Sequence, residues 1–178
     1  MRKKKNILWM VVMLWSIPLL AQTEQNQTQV WQSKSLPISY SLAYDKNTTC
    51  LVRQLPVYKA PKWVAKIEVK GGKRVYFCSP KSMFEFYFRP AKWQDVGVHQ
   101  EGDFATIVVT DYATLQPIEA RGAFFVYGST QISPAGDDLP AFGTYKEAEA
   151  FAKQYHGKRI LKFDEVSDAL IRLLNGRI

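Results

Sequence analysis

The sequence predicts an α+β fold of two small ββαβ units in tandem, followed by a short C-terminal helix. Three observations carry this expectation. Segments that alternate apolar and polar residues flank two stretches whose apolar residues recur at helical spacing. Each helical stretch opens on a hydroxyl residue just after a strand-like segment, Ser79 in the first and Thr144 in the second. The halves also match at one offset of 65 residues, pairing Phe77 with Phe142, Ser79 with Thr144, Lys81 with Lys146 and Phe86 with Phe151.

Taken in order, Trp63 to Val69 alternates as a strand, Gly71-Gly72 is a tight turn, and Arg74 to Cys78 is the returning strand. Ser79 then caps a helix with Pro80 at its first position, where the missing N–H costs nothing. Met83, Phe84, Tyr87 and Phe88 give that helix its apolar face, and Pro90 ends it. This aromatic stripe is expected to be core. Thr106 to Tyr112 is a further strand. In the second half Ala123 to Tyr127 is a strand, with a short one around Pro140 to Gly143. Thr144 and Glu147 have capping-box spacing, so that each side chain is expected to satisfy the other's backbone donor. Ala148, Phe151, Ala152 and Tyr155 form the buried stripe, and Gly157 stops the helix. Arg159 to Val166 is the closing strand, and Leu170, Leu173 and Leu174 mark the last helix.

The start of the chain looks like an export signal. Arg2, Lys3, Lys4 and Lys5 precede an apolar run from Ile7 to Leu20, with the small residue Ala21 at a cleavage position. The run is short for a membrane span, which needs about 20 residues, although an uncleaved anchor is the alternative. Gln22 stands where a lipidated cysteine would, so no lipid anchor is expected. The expected division is therefore residues 1–21 as signal peptide, 22–49 as flexible leader, 50–116 as the first unit and 117–178 as the second. Cleavage would remove half of the formal charge of +8. No cluster of basic and aromatic residues marks a nucleic-acid surface. Export also places the cysteines in an oxidising compartment, expected to be the periplasm. Asn26-Gln27-Thr28 and Asn47-Thr48-Thr49 are acceptor patterns for glycosylation, each with an acidic residue two places upstream (Glu24, Asp45).

Chemistry-bearing residues are few. Cys50 and Cys78 are the only cysteines, and Met83, His99 and His156 complete the metal-ligand inventory of the expected domain. Only Cys78 and Met83 are close in sequence. Two readings of the cysteines stand side by side: soft-metal ligands, or a disulfide tying the domain's first residues to its first hairpin. In the chain-entropy model that closure would contribute roughly 3–4 kcal/mol. No phosphate-binding glycine loop, metal-binding His pair or nucleophile motif appears, so an enzyme is not expected. Met83 suits a core filler, His99 a solvated loop, and His156 the end of a helix. Asp111 suits a turn after its strand.

Several segments together resemble the NosL-type nitrous-oxide reductase accessory proteins. They are Lys62-Trp63-Val64-Ala65, Tyr76 to Phe84 (Tyr-Phe-Cys-Ser-Pro-Lys-Ser-Met-Phe), Val109-Thr110-Asp111-Tyr112, Ala123 to Ser129, and Phe163-Asp164-Glu165-Val166. The resemblance spans residues 50–166. It implies two ββαβ units, export, copper(I) binding and service to the maturation machinery of nitrous-oxide reductase. It also exposes departures. The family's Cys-x-x-Cys-Gly-Met is here reduced to Cys50, with Arg53, Gln54 and Leu55 in the other places. Its Pro-Met-Gly turn is here Pro134-Ala135-Gly136.

The resulting expectation is an exported accessory protein that binds or delivers copper(I) through a reduced set, Cys50, Cys78 and Met83. Arg53, a permanent cation beside Cys50, opposes a second cation, or else is an exposed loop residue. The loop Gln100 to Asp103 and the turn Gly136 to Asp138 are candidate partner contacts. The alternative is a member that has lost its metal and acts as a periplasmic scaffold with a Cys50–Cys78 disulfide.

Overall fold

The first hairpin forms where the alternation places it. β1 (Ala65–Val69) and β2 (Arg74–Phe77) pair antiparallel, from Ala65 opposite Phe77 to Glu68 opposite Arg74. Gly71 and Gly72 carry the turn at φ of +97° and +85°, a region that glycine enters without a Cβ clash. Residues 40–176 are described by this computed structural model. The expected signal segment and Asn26 lie outside them.

Ser79 caps α1 (Pro80–Phe88) by accepting the N–H of Ser82 at 3.2 Å. After α1 the chain returns as β3 (Phe104–Thr110), which pairs antiparallel with β1 and makes it the central strand. β4 (Pro117–Glu119) then pairs with β3, giving the order β2-β1-β3-β4. The division expected at residue 116 thus runs between two paired strands.

The second unit repeats the plan. β5 (Phe124–Tyr127) is central, flanked by β8 (Ala141–Phe142) and β9 (Arg159–Lys162) in the order β8-β5-β9. α2 (Tyr145–Gln154) is capped by Thr144, as α1 is by Ser79, and occupies the equivalent place between strands. Phe77 and Phe142 close the corresponding strands, and Phe86 and Phe151 are buried on the corresponding helices. The offset of 65 therefore marks a repeated topology. A small hairpin of β6 (Ile132–Ser133) and β7 (Gly136–Asp137) is inserted between β5 and β8. α3 (Asp168–Leu174) follows last, capped by Ser167.

Several local expectations shift. Trp63 closes a 3-10 turn (Pro61–Trp63), so the first strand starts two residues later than expected. Phe163–Glu165 is also a 3-10 turn, which shortens the closing strand. In the α2 cap, Thr144 accepts the N–H of Glu147 at 3.2 Å, but the Glu147 carboxylate takes the Thr144 hydroxyl at 2.7 Å. At its other end His156, with φ of +59°, holds the left-handed position expected of Gly157. Residues 40–49, placed in the flexible leader, pack instead. Leu42 and Tyr44 lie against the core, Lys66 Nζ donates to the Ser41 carbonyl, and the Tyr76 hydroxyl donates to the Ala43 carbonyl at 2.5 Å.

α1 is the pivot of the packing. Phe84 packs edge-to-face on Phe125 at a centroid distance of 5.1 Å and at a tilt on Phe163 at 5.0 Å, both from the second unit. Phe86 faces the first sheet, against Phe77 and Phe104. The aromatic stripe is core, as expected, and it joins both units. Burial extends to Lys81, Ser82 and Glu85 on the same helix. Asp111, 3% exposed, turns the chain after β3 by accepting the N–H groups of Ala113 and Thr114. Its other oxygen accepts the Gly143 N–H at 2.8 Å, next to α2.

Candidate metal centre

The segment before β1 brings the cysteines together. Thr49 bridges Pro56, and the Cys50 N–H donates to the Leu55 carbonyl at 2.8 Å, closing a tight loop. Cys50 pairs with Tyr76 on the free edge of β2, and the Leu51 N–H donates to the Tyr76 carbonyl at 2.8 Å. Two residues beyond Tyr76 is Cys78, just before the α1 cap. Strand pairing therefore sets the two thiols side by side.

The loop is shaped around the Cys50 sulfur. Gln54, in the place of the family's glycine, holds φ of +56° and folds the chain back. The Arg53 N–H then donates to Cys50 Sγ at 3.4 Å, and the N–H groups of Val52 and Cys78 also reach it. The Cys78 thiol donates to the same sulfur. These donors, the Cys78 thiol first, hold the Cys50 thiol down to about 6 against the opposing effect of burial. The Cys78 thiol is pushed up, first because it donates to Cys50 and then by burial. Of the two sulfurs, Cys50 is therefore the one whose thiolate the surroundings favour. Both cysteines are free and buried.

Met83 is fully buried in the same apolar core as both cysteines. His99 and His156 are exposed and apart from it. Among the described residues no cluster of three or more His, Cys, Asp or Glu side chains is able to hold a metal. The donor set that the fold assembles is two sulfurs, which suits a soft monovalent ion of low coordination number.

A polar layer surrounds the pair. Arg53 neither lies free in its loop nor stands as an unpaired cation. Its guanidinium donates to Glu85 Oε2 at 2.9 Å and to Asn175 Oδ1 at 2.6 Å, while Asn175 donates to Glu85 at 3.0 Å. Glu85 is 3% exposed and Arg53 23%, so the cysteine loop, α1 and the end of α3 meet at a partly buried ion pair. Lys81 Nζ donates to the carbonyls of Ala135 (2.7 Å) and Leu174 (3.1 Å). Asp138 is not an exposed turn residue. Its Oδ1 accepts the N–H groups of Lys81 and Leu139, and its Oδ2 accepts the Ser133 hydroxyl at 2.6 Å. Burial pushes its carboxyl above the ordinary range, against these hydrogen bonds. Leu55 and Ala135, at the family's methionine places, supply no donor.

A family model described as NosL matches residues 41–171. The chain belongs to the NosL family. The copper-binding lipoprotein NosL of Stutzerimonas stutzeri is 28% identical over 116 residues, which are 65% of this chain and 58% of that protein. The chain thus spans less than two thirds of that relative. The crystal structure of the copper chaperone NosL from Shewanella denitrificans matches with a TM-score of 0.63 at 27% identity, covering 75% of this chain and 99% of that one. The tandem ββαβ architecture is therefore the NosL fold.

Sequence reasoning named Cys50, Cys78 and Met83 but missed Lys81, Glu85, Asp138 and Asn175 as their surroundings. One local signal was present. Glu85 interrupts the run Met83-Phe84-Glu85-Phe86, and a charge inside an apolar helix calls for a buried partner.

Proposed function

We propose that this chain is an exported accessory protein that handles copper(I) as cargo for nitrous-oxide reductase maturation, with Cys50 and Cys78 as its ligands. The observation that carries the reading is the pair of free, buried thiols that the Cys50–Tyr76 pairing sets at the β2–α1 corner, with the Arg53 N–H donating to Cys50 Sγ at 3.4 Å. The names of its NosL relatives, copper-binding lipoprotein and copper chaperone, support it. Cys50, whose thiolate its surroundings favour, and Cys78, which would release its proton to solvent, would be the two ligands. Met83 is close enough in the chain to add a thioether. Two or three soft ligands hold a cargo ion firmly while leaving it transferable. Export follows from the basic and apolar start of the chain, with residues 1–21 as the removed signal. Among the described residues no helix is long and apolar enough to cross a membrane. Asn47 is exposed, as a glycosylation acceptor requires, and mass spectrometry of the native protein tests it.

Copper(I) titration of the reduced domain against a competing chelator tests the main reading. A 1:1 complex is expected, and Cys50→Ser should weaken it by about two orders of magnitude, the scale of losing one of two soft ligands. Affinity no better than background in the parent chain would sink the reading. The hydrogen-bonded sulfurs also favour a second one, a scaffold closed by a Cys50–Cys78 disulfide. Protein purified without reductant that shows no reactive thiols and takes up no copper(I) would support that scaffold instead.

A further inference from the structure

The cysteine loop occurs twice in the fold. Thr49 bridges Pro56 antiparallel, and Thr110 at the end of β3 pairs with Pro117 in the same way. In the first loop the Cys50 N–H donates to the Leu55 carbonyl at 2.8 Å, and the Gln54 N–H to the Cys50 carbonyl at 2.9 Å. In the second, the Asp111 N–H donates to the Gln116 carbonyl at 2.8 Å, and the Leu115 N–H to the Asp111 carbonyl at 2.9 Å. Each loop then docks by a parallel bridge on the strand that leads into a helix, Cys50 on Tyr76 and Asp111 on Ala141. The following N–H, of Leu51 or Tyr112, donates to the carbonyl of that strand residue at 2.8 Å in both. Tyr76 and Ala141 stand at the offset of 65 that relates the units, as do Cys78 and Gly143. Asp111 is therefore the counterpart of Cys50, and Gly143 that of Cys78.

What the two loops share is a set of donors aimed at one side chain. The Asp111 carboxylate accepts the N–H groups of Ala113 at 2.8 Å, Thr114 at 3.0 Å and Gly143 at 2.8 Å. The Cys50 sulfur accepts the N–H groups at the corresponding places, of Val52, Arg53 and Cys78, that of Arg53 at 3.4 Å. Converging backbone N–H groups suit an anionic acceptor, and in the second loop the acceptor is a carboxylate. Both loops reach this arrangement through one non-glycine residue in the left-handed region, Gln54 at φ of +56° and Leu115 at φ of +62°. An L-residue enters that region at a cost, so its recurrence at the same place marks a requirement of the donor arrangement.

We propose, on the reading of Cys50 as a copper(I) ligand, that Gln54 is a positioning residue for the metal. Its left-handed backbone turns the N–H groups of Val52 and Arg53 onto the Cys50 sulfur. A metal-bound sulfur is a thiolate that still accepts hydrogen bonds, so these donors stabilise the loaded site without touching the ion. The conformation, not the side chain, carries the role. Gln54 Nε2 donates only to the exposed Leu51 carbonyl at 2.8 Å, and Leu115 makes the same turn with no polar side chain.

Copper(I) titration of the reduced domain against a competing chelator, with urea denaturation alongside, tests this. Gln54→Gly enters the left-handed region freely and should keep the affinity within about three-fold of the parent. Gln54→Val, whose branched Cβ resists that region, should lower it by about ten-fold or more, the scale of one lost hydrogen bond to a charged acceptor. Leu115→Val makes the same change in the loop that holds no sulfur, and should lower stability while leaving copper(I) affinity unchanged. Gln54→Ala is the milder variant if the valine one does not fold, and should bind copper(I) more weakly than Gln54→Gly. Unchanged affinity in the folded Gln54→Val or Gln54→Ala protein would overturn the inference. So would an equal loss in Leu115→Val or in Gln54→Gly, or failure of both the valine and the alanine variants to fold, which would make the position purely structural. Absence of copper(I) uptake by the parent chain would instead defeat the reading of Cys50 as a ligand.

Discussion

Arg53 stands where the family motif has its second cysteine, and its contacts define what that replacement does. The guanidinium binds Glu85 and Asn175, so the cysteine loop is tied to α1 and α3 by charge and hydrogen bonds. Removing Arg53 takes away the 2.9 Å partner of a carboxylate that is 3% exposed and leaves Lys92, at 4.0 Å, a longer contact. Arg53→Ala is expected to lower unfolding free energy by about 3 kcal/mol in urea denaturation, and pairing it with Glu85→Leu should recover most of that loss. A double variant no more stable than the single one would show that packing, not charge, ties the loop down. Tyr87 offers a pH-dependent counterpart. Burial and its 2.7 Å hydrogen bond to Glu101 push its phenol up to about 12. The folded value lies above the ordinary value of 10.0, so its stabilisation is complete below pH 10 and is lost as pH rises toward 12. Ultraviolet titration of phenolate absorbance should show this late ionisation, and Glu101→Gln should shift it down. A phenol ionising at the ordinary value in both proteins would refute the assignment.

At the scale of elements, the end of α2 separates two roles that glycine often combines. His156 adopts the left-handed conformation at φ of +59°, while Gly157 is needed for space. A Cβ on Gly157 would lie 2.5 Å from Val126 Cγ1 and 2.9 Å from Ala152 Cβ. Gly157→Ala should therefore cost about 1–3 kcal/mol by overpacking. His156→Gly should be neutral or gain up to about 1 kcal/mol by relieving the left-handed penalty. Thermal denaturation of the two variants separates these effects, and opposite signs would disprove the division of labour. The helix and its Thr144 cap were legible in the sequence, because hydroxyl caps and apolar periodicity act within a few residues. The stop was legible only as a place: His156 takes the left-handed conformation, and Gly157 is required by the closeness of Val126 on β5. The candidate site divides in the same way. Cys50 and Cys78 were named from residue type, but their contact depends on an edge pairing with Tyr76 that no periodicity encodes. Glu85 finds Arg53 across 32 residues and Asn175 across 90, beyond any local pattern. Asp138, in a sequence of turn residues, looked solvated and proved buried.

At the scale of the whole molecule, the repeat gives two sheets, a larger core that spans both units and a smaller one of Val126, Phe142, Ala148 and Phe151 under α2. α1 belongs to the first unit by topology, yet its Phe84 packs on Phe125 and Phe163 of the second while Phe86 packs on the first sheet. Asp111 adds a polar tie, with one oxygen on the turn after β3 and the other on Gly143 before α2. The proposed metal site draws on the same junction. Cys50 and Cys78 lie at the β2–α1 corner, and Lys81 reaches from α1 to the β6–β7 hairpin and to the end of α3. Loosening one unit would open the core of the other and the cysteine pair at once. The described domain should accordingly unfold in one transition, with fluorescence and far-ultraviolet circular dichroism changing together. Phe84→Ala removes a ring that contacts both units and should cost about 3–5 kcal/mol while keeping the transition single. Two resolved transitions in the parent chain would mean that the units fold separately. A variant that splits the transition while retaining copper(I) affinity would show that the site needs only the first unit. Coincident loss of both signals and of copper(I) binding is the outcome expected from a core shared through one helix.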